Sequence, residues 1–122
     1  MKRTAPILAA TLALAAPAIA ALPVGAHAPD IATQAARICA VNLLAQVKAA
    51  IGDLDRVTKV LRLGGFINAV PDYTAHAGVM NGASDLVVEV LGEAGRHARS
   101  TIGVAGLPLG ACVEVEGMFA YE

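Results

Sequence analysis

The chain has 122 residues, of which 57% are hydrophobic, with a mean hydropathy of +0.63 and a formal net charge of −1. That length suits one domain and excludes a two-domain enzyme. Trp is absent, aromatic residues make up 3%, and acidic and basic residues are interleaved, so neither a basic stripe nor a base-stacking platform for nucleic acid is present.

Residues 1–28 read as a leader and linker, and residues 29–122 as the domain. Lys2 and Arg3 precede an uncharged apolar run from Ala5 to Ala21, and Ala18-Ile19-Ala20 and Ala26-His27-Ala28 offer small-residue exits. This is the pattern of a secretory signal peptide, which implies a periplasmic or secreted protein. A mis-started translation would leave it cytoplasmic instead. Pro17 breaks the run, so no stable membrane span is expected. Cys39 and Cys112 fall in different elements with no motif around either, and read as small core hydrophobes.

Asp30 is placed to cap a helix running from about Ile31 to Ile51, with Ile38, Val41, Leu44, Val47 and Ile51 as its apolar stripe and Gly52 as its stop. Asp53 and Asp55 read as a solvated turn rather than metal ligands. Arg56 to Phe66 reads as a strand, with Gly64-Gly65 marking a bulge or a close backbone approach. A loop from Asn68 to Gly78 follows, with a turn at Pro71-Asp72 and a surface His76 that has no partner at metal spacing. A second helix is expected from near Asn81 or Ser84 to Glu93, with Leu86, Val87, Val90 and Leu91 on its apolar face. Finally, Ala98–Ala105 and Ala111–Phe119 alternate around the breaker Gly106-Leu107-Pro108-Leu109-Gly110, which predicts a β-hairpin. Side-chain parity then suggests a core face of Ile102, Val104, Val113 and Val115, with Arg99, Thr101 and Glu114 gathered on the other. The order helix, strand, helix, strand, strand indicates an α+β domain with both helices on one sheet face.

The closing stretch carries ARS-x-x-x-V-A-x-LP, from Ala98 to Pro108, followed by V-E-V-E at Val113–Glu116. It resembles the C-terminal signature of the Rid (reactive intermediate deaminase, YjgF-type) family, and the likeness runs from about Ala35 to Phe119. The resemblance implies a chorismate-mutase-like fold, a homotrimer, and hydrolysis of reactive 2-imino or enamine acids to 2-keto acids and ammonia without metal or organic cofactor. It also implies roles for residues. Arg99 falls on the arginine that anchors the substrate carboxylate, and Glu114 on the glutamate that positions water. Thr101 and Asn81 fall on positions lining the cleft. Rid domains open with a β-hairpin that has no counterpart here, which implies a domain truncated at its N-terminus with an exposed sheet edge. Two other readings stand beside the deaminase: a non-catalytic trimeric module that binds small 2-imino or 2-keto carboxylates through Arg99, and a truncated, inactive family member.

Overall fold

The computed structural model describes residues 6–13 and 29–122. After strand β1 (Ile7–Ala13), helix α1 takes Pro29–Ile51. Pro29 sits in the first turn, where its missing N–H costs nothing, and Asp30 lies beside it inside that turn rather than capping it. The helix stops at Gly52, whose φ of +95° suits glycine and whose N–H bonds to the Lys48 carbonyl at 2.7 Å. Asp53 then caps a short 3-10 turn, its side chain accepting from the Asp55 N–H at 3.0 Å.

The buried stripe of α1 differs from the expected one. It is built from Ala32, Ala35, Ala36, Cys39, Ala40, Leu43, Leu44, Val47 and Ile51, whereas Ile38 and Val41 are 49% and 50% exposed. The reason is close packing against the second helix, α2 (His76–Leu91). Gly82 of α2 lies so near the Thr33 carbonyl that a Cβ there would overlap it, and only small residues on the facing side of α1 permit that approach. An exposed ion pair, Arg37–Glu89 at 3.0 Å, also joins the two helices.

Strand β2 (Val57–Asn68) buries Val57, Val60, Leu63 and Ile67. Register shifts between Val57 and Lys59 and between Val60 and Arg62 account for its imperfect alternation. The Gly64-Gly65 pair is a close approach: an added Cβ would come within 2.7 Å of the Glu116 side chain at Gly64 and 2.6 Å of the Met80 sulfur at Gly65. Helix α2 begins at His76, ahead of the expected start at Asn81 or Ser84, so the loop is shorter than expected and Asn81 lies in the helix body.

The last two strands, β3 (Ala98–Val104) and β4 (Val113–Tyr121), stand where the alternation places them, but they do not form a hairpin. Among the described residues the sheet order is β1-β4-β2-β3. Strand β3 runs parallel to β2, and β4 runs antiparallel to both β2 and β1. The end of β2 is wedged between the other two: the Asn68 N–H bonds to the Cys112 carbonyl at 2.9 Å, and the Ala69 N–H to the Val104 carbonyl at 3.3 Å. With α2 as its crossover, β2-α2-β3 is a βαβ unit, which places β3 beside β2 rather than beside the strand next in sequence. Ile7–Ala13, read from the sequence as part of an apolar leader, lies along the β4 edge. The small-residue patterns at 18–20 and 26–28 lie outside the described residues. The edge expected to be bare is therefore covered, and β3 is an edge on the far side of the sheet.

Both helices pack on one face of this mixed sheet, as the α+β reading requires. The core between them holds Leu43, Leu63, Ile67, Met80, Val113, Val115 and Phe119. Cys39 and Cys112 are buried there, Cys39 with its Sγ 3.8 Å from the Val113 carbonyl, and burial pushes the Cys112 thiol up, against a smaller lowering from its backbone hydrogen bond. No helix among the described residues is long and apolar enough to cross a membrane.

Candidate functional site

Residues paired across neighbouring strands point to the same face of a sheet. Leu63, Gly65 and Ile67 of β2 pair with Arg99, Thr101 and Gly103 of β3 on one side and with Gly117, Val115 and Val113 of β4 on the other. That row is the helix side, since Leu63, Ile67, Val113 and Val115 are fully buried. Arg99 and Thr101 therefore face α2. Glu114, which pairs with Phe66 and through it with Ile102, faces away from the helices. Ile102, 52% exposed, confirms that this second face is open. The parity expected from a hairpin is thus inverted on β3. Parity within each strand holds, but the face shared between strands depends on register, and β2 intervenes. Arg99 and Glu114 do not meet within one chain.

Arg99 is exposed, yet it is held. One terminal nitrogen donates to the Ser84 hydroxyl at 3.0 Å and the other to the Ala77 carbonyl at 3.4 Å. Ala77, Asn81 and Ser84 follow one another at helical spacing, so Asn81 shares the ridge of α2 that receives the guanidinium. Sequence pattern points to neither Ser84 nor His97 as a partner. The His97 ring sets Ser84, with Nε2 at 3.0 Å from the serine oxygen and Nδ1 at 2.6 Å from the Gly95 carbonyl. A carbonyl only accepts, so Nδ1 carries a proton, and in the neutral ring Nε2 then accepts from the Ser84 hydroxyl. The serine oxygen is left with a lone pair directed at Arg99. Local patterning gives no signal for this relay, because it joins residues from α2 and the approach to β3.

Charge separates Arg99 from Arg37, Arg62 and Arg96. Arg37, Arg62 and Arg96 each pair with a carboxylate, at 3.0, 3.5 and 2.8 Å. Among the described residues Arg99 has neutral partners only, so its charge is uncompensated and part of its donor fork is unused. Beside it the Thr101 hydroxyl oxygen is buried without a hydrogen-bond partner, an arrangement that costs on the order of 1–3 kcal/mol unless a ligand supplies the partner. A fixed, unpaired guanidinium next to an unsatisfied hydroxyl suits a small carboxylate carrying a further polar atom. Replacing Ser84 by alanine should weaken capture of a small carboxylate at Arg99 about five-fold, for loss of one hydrogen bond of about 1 kcal/mol. Threonine at the same position should restore most of it. Titration calorimetry checks this, and unchanged affinity in the alanine variant would show that the relay does not hold the anchor.

Further along β3, Gly103 lies against the His76 ring, leaving no space for a Cβ. His76 is half-buried rather than on the surface, and its ring meets Tyr73 edge-on with centroids 5.2 Å apart. The two rings border a cleft of about 360 Å³. On the open sheet face, Glu116 pairs with Arg62, whereas Glu114 is half-buried beside Phe66. Among the described residues, no group of three or more His, Cys, Asp or Glu side chains is arranged to hold a metal ion.

This fold and the signature on β3 and β4 agree with comparison to known proteins. The chain belongs to the family described as "YjgF/chorismate_mutase-like, putative endoribonuclease", whose model matches residues 24–120. It is 53% identical over 85 residues to Protein TCP17 of Trypanosoma cruzi, a match covering 69% of this chain and 53% of that protein. The chain therefore spans about half the length of this curated relative. Among solved structures it is similar to Atu1372 of Agrobacterium tumefaciens, a protein of unknown function, with 46% identity, a TM-score of 0.81, and coverage of 83% of this chain and 66% of that one. A "putative endoribonuclease" of Shewanella oneidensis follows at 33% identity and a TM-score of 0.75, covering 77% and 62%.

Proposed function

We infer that the protein is a deaminase that hydrolyses reactive 2-imino acids to 2-keto acids and ammonia, with Arg99 as the carboxylate anchor. The observation that supports this is the held but uncompensated guanidinium beside the unsatisfied Thr101 hydroxyl. The reaction needs little more than orientation and one acid–base group. Arg99 binds the carboxylate, Thr101 and Asn81 contact the nitrogen end, and water adds to C2. A carboxylate takes a proton from that water and passes it to nitrogen, giving a carbinolamine; it then takes the proton of the new C2 hydroxyl and passes it to the amine, so that the C–N bond breaks, ammonia leaves and the C2 carbonyl remains. Glu114 is the carboxylate proposed for this step. Because it faces the opposite side of its own sheet, it serves the Arg99 site of a neighbouring copy in a homotrimer. The nuclease description attached to the family finds no support in this composition, with its net charge of −1 and lack of Trp.

Ammonia release from freshly generated 2-iminopropanoate or 2-iminobutanoate tests the reading. Arg99→Ala and Glu114→Gln chains should each be inactive alone, whereas refolding the two together should recover about one quarter of the wild-type sites, if each site draws one residue from each of two copies. Absence of any rate in the folded wild-type oligomer would overturn the enzyme. A second reading, a binding module for small carboxylates, is favoured by the separation of Arg99 and Glu114 within one chain. It predicts Arg99-dependent binding of 2-oxo acids without ammonia release.

A further inference from the structure

We propose that His97 is a proton-linked positioning residue of the Arg99 anchor: a protonated ring strengthens carboxylate capture, and capture draws a proton onto the ring. This rests on reading Arg99 as a carboxylate anchor and adds a control of that site by pH.

The ring can change charge without changing place. Nδ1 lies 2.6 Å from the Gly95 carbonyl and donates to it in the neutral and the charged ring alike. Gly95 is itself fixed, buried so closely on α2 that a Cβ there would come within 2.5 Å of the Val87 carbonyl. Only the second nitrogen changes role. In the neutral ring Nε2 accepts from the Ser84 hydroxyl, 3.0 Å away, and in the charged ring it donates to the same oxygen. A serine oxygen has two lone pairs, so it then receives both the ring and the guanidinium, and Arg99 stays held. The hydroxyl proton, released from Nε2, is free to turn toward an anion on the guanidinium.

Charge acts in the same direction. Two contacts of 3.0 Å in series put Nε2 no more than about 6 Å from the guanidinium nitrogen that bonds Ser84. Two cations that close repel, and a carboxylate seated on the fork offsets the repulsion. Most other charges on the elements around the ring are paired. Glu93 pairs with Arg96, and Glu89 of α2 with Arg37. Arg62 of β2, in register with Ala98, pairs with Glu116 on the opposite sheet face. Lys59 of β2 and Asp85 of α2, the latter next to Ser84, are exposed and make no ion pair among the described residues. Binding and protonation share one coupling free energy, so each strengthens the other by the same factor. Histidine changes charge between about pH 5 and 8, so capture is stronger at the acid end and weakens as pH rises through the ring's titration. For one charge at this separation in a partly exposed site, the factor is on the order of five-fold.

The test titrates the full chain with 2-oxobutanoate by calorimetry between about pH 5.5 and 8.5, in two buffers of different ionisation enthalpy that count proton uptake. Affinity should rise about five-fold toward the acid end, with up to about 0.4 proton taken up per ligand near the middle of the change. The side-chain carbonyl of His97→Gln can accept from Ser84 but holds no charge. That variant should keep the alkaline affinity within about two-fold and lose both the slope and the proton uptake. Asp85→Asn should keep both. A flat wild-type profile, or a slope that persists in folded His97→Gln or vanishes in Asp85→Asn, would overturn the proposal. NMR of the wild-type His97 ring reads the link without a variant. With 2-oxobutanoate bound the ring should hold its proton to about five-fold lower proton concentration, and an identical titration with and without ligand would overturn the proposal. Binding that persists in Arg99→Ala, or no binding by wild type at any pH, would instead remove the anchor, and the proposal with it. Ammonia release does not enter these readouts, so a binding protein without turnover would still support the proton link.

Discussion

Arg99→Ala should lower affinity for 2-oxobutanoate, and kcat/KM for the corresponding imine, by at least 100-fold while leaving the melting temperature within about 2 °C of wild type. Hydrogen bonds to charged groups are worth about 1.5–3 kcal/mol each, and a carboxylate on the guanidinium fork makes two, which places the loss between about 100-fold and about 20,000-fold. The small effect on folding follows from the exposure of Arg99 and from its two neutral partners. No buried charge is stranded when it is removed. Arg99→Lys should recover only a fraction, because an ammonium is a point charge that cannot present parallel donors to both carboxylate oxygens. Calorimetry, the ammonia assay and a thermal melt on the same samples separate these outcomes. Full affinity in a folded alanine variant would remove Arg99 from the site.

Gly82→Ala should destabilise the protein by about 3 kcal/mol, lowering the melting temperature by roughly 10–20 °C. The sign is the informative part. Helix propensity alone favours alanine over glycine by about 0.8–1 kcal/mol in a helix interior, so local reasoning predicts stabilisation. In the structure the new Cβ would overlap the Thr33 carbonyl, a backbone atom of α1 that cannot rotate away as a side-chain tip could. Relief requires the helices to separate and the alanine-rich seam to open. Gly78→Ala in the same helix is the control: a Cβ there would meet nothing within 4 Å, so a neutral or slightly stabilising change is expected. Denaturant melts of the two variants check the pair. Equal behaviour would show that helix packing does not depend on Gly82.

Much of the candidate site is legible in the sequence because its residues sit in one short signature. Arg99 and Thr101 can be placed on one face of a strand from period-two alternation alone, and their pairing with Leu63 and Gly65 bears that out. Ser84 and His97 are not legible, since a serine in a helix and a histidine before a strand carry no pattern until their distance is known. The cleft is hidden for a similar reason. It is formed by the end of one strand, the loop that follows and the first turn of α2, and in the sequence His76 stands as an isolated surface residue.

By itself the sequence determined the types of both helices and of the three strands from Val57 onward, the stop at Gly52, the class of fold and the family signature, all of which follow from local chemistry: side-chain period, breaker residues and a contiguous motif. Only the tertiary structure decided which strands are neighbours. Local alternation says which side chains share a face of one strand, but is silent on which strand pairs beside it, and inserting β2 between β3 and β4 put Arg99 and Glu114 on opposite faces. It also decided which face of α1 is buried. Hydrophobicity favoured Ile38 and Val41, whereas the close approach of Gly82 to Thr33 selected alanines, because contact distance between two helices is set by the smallest side chains along their seam.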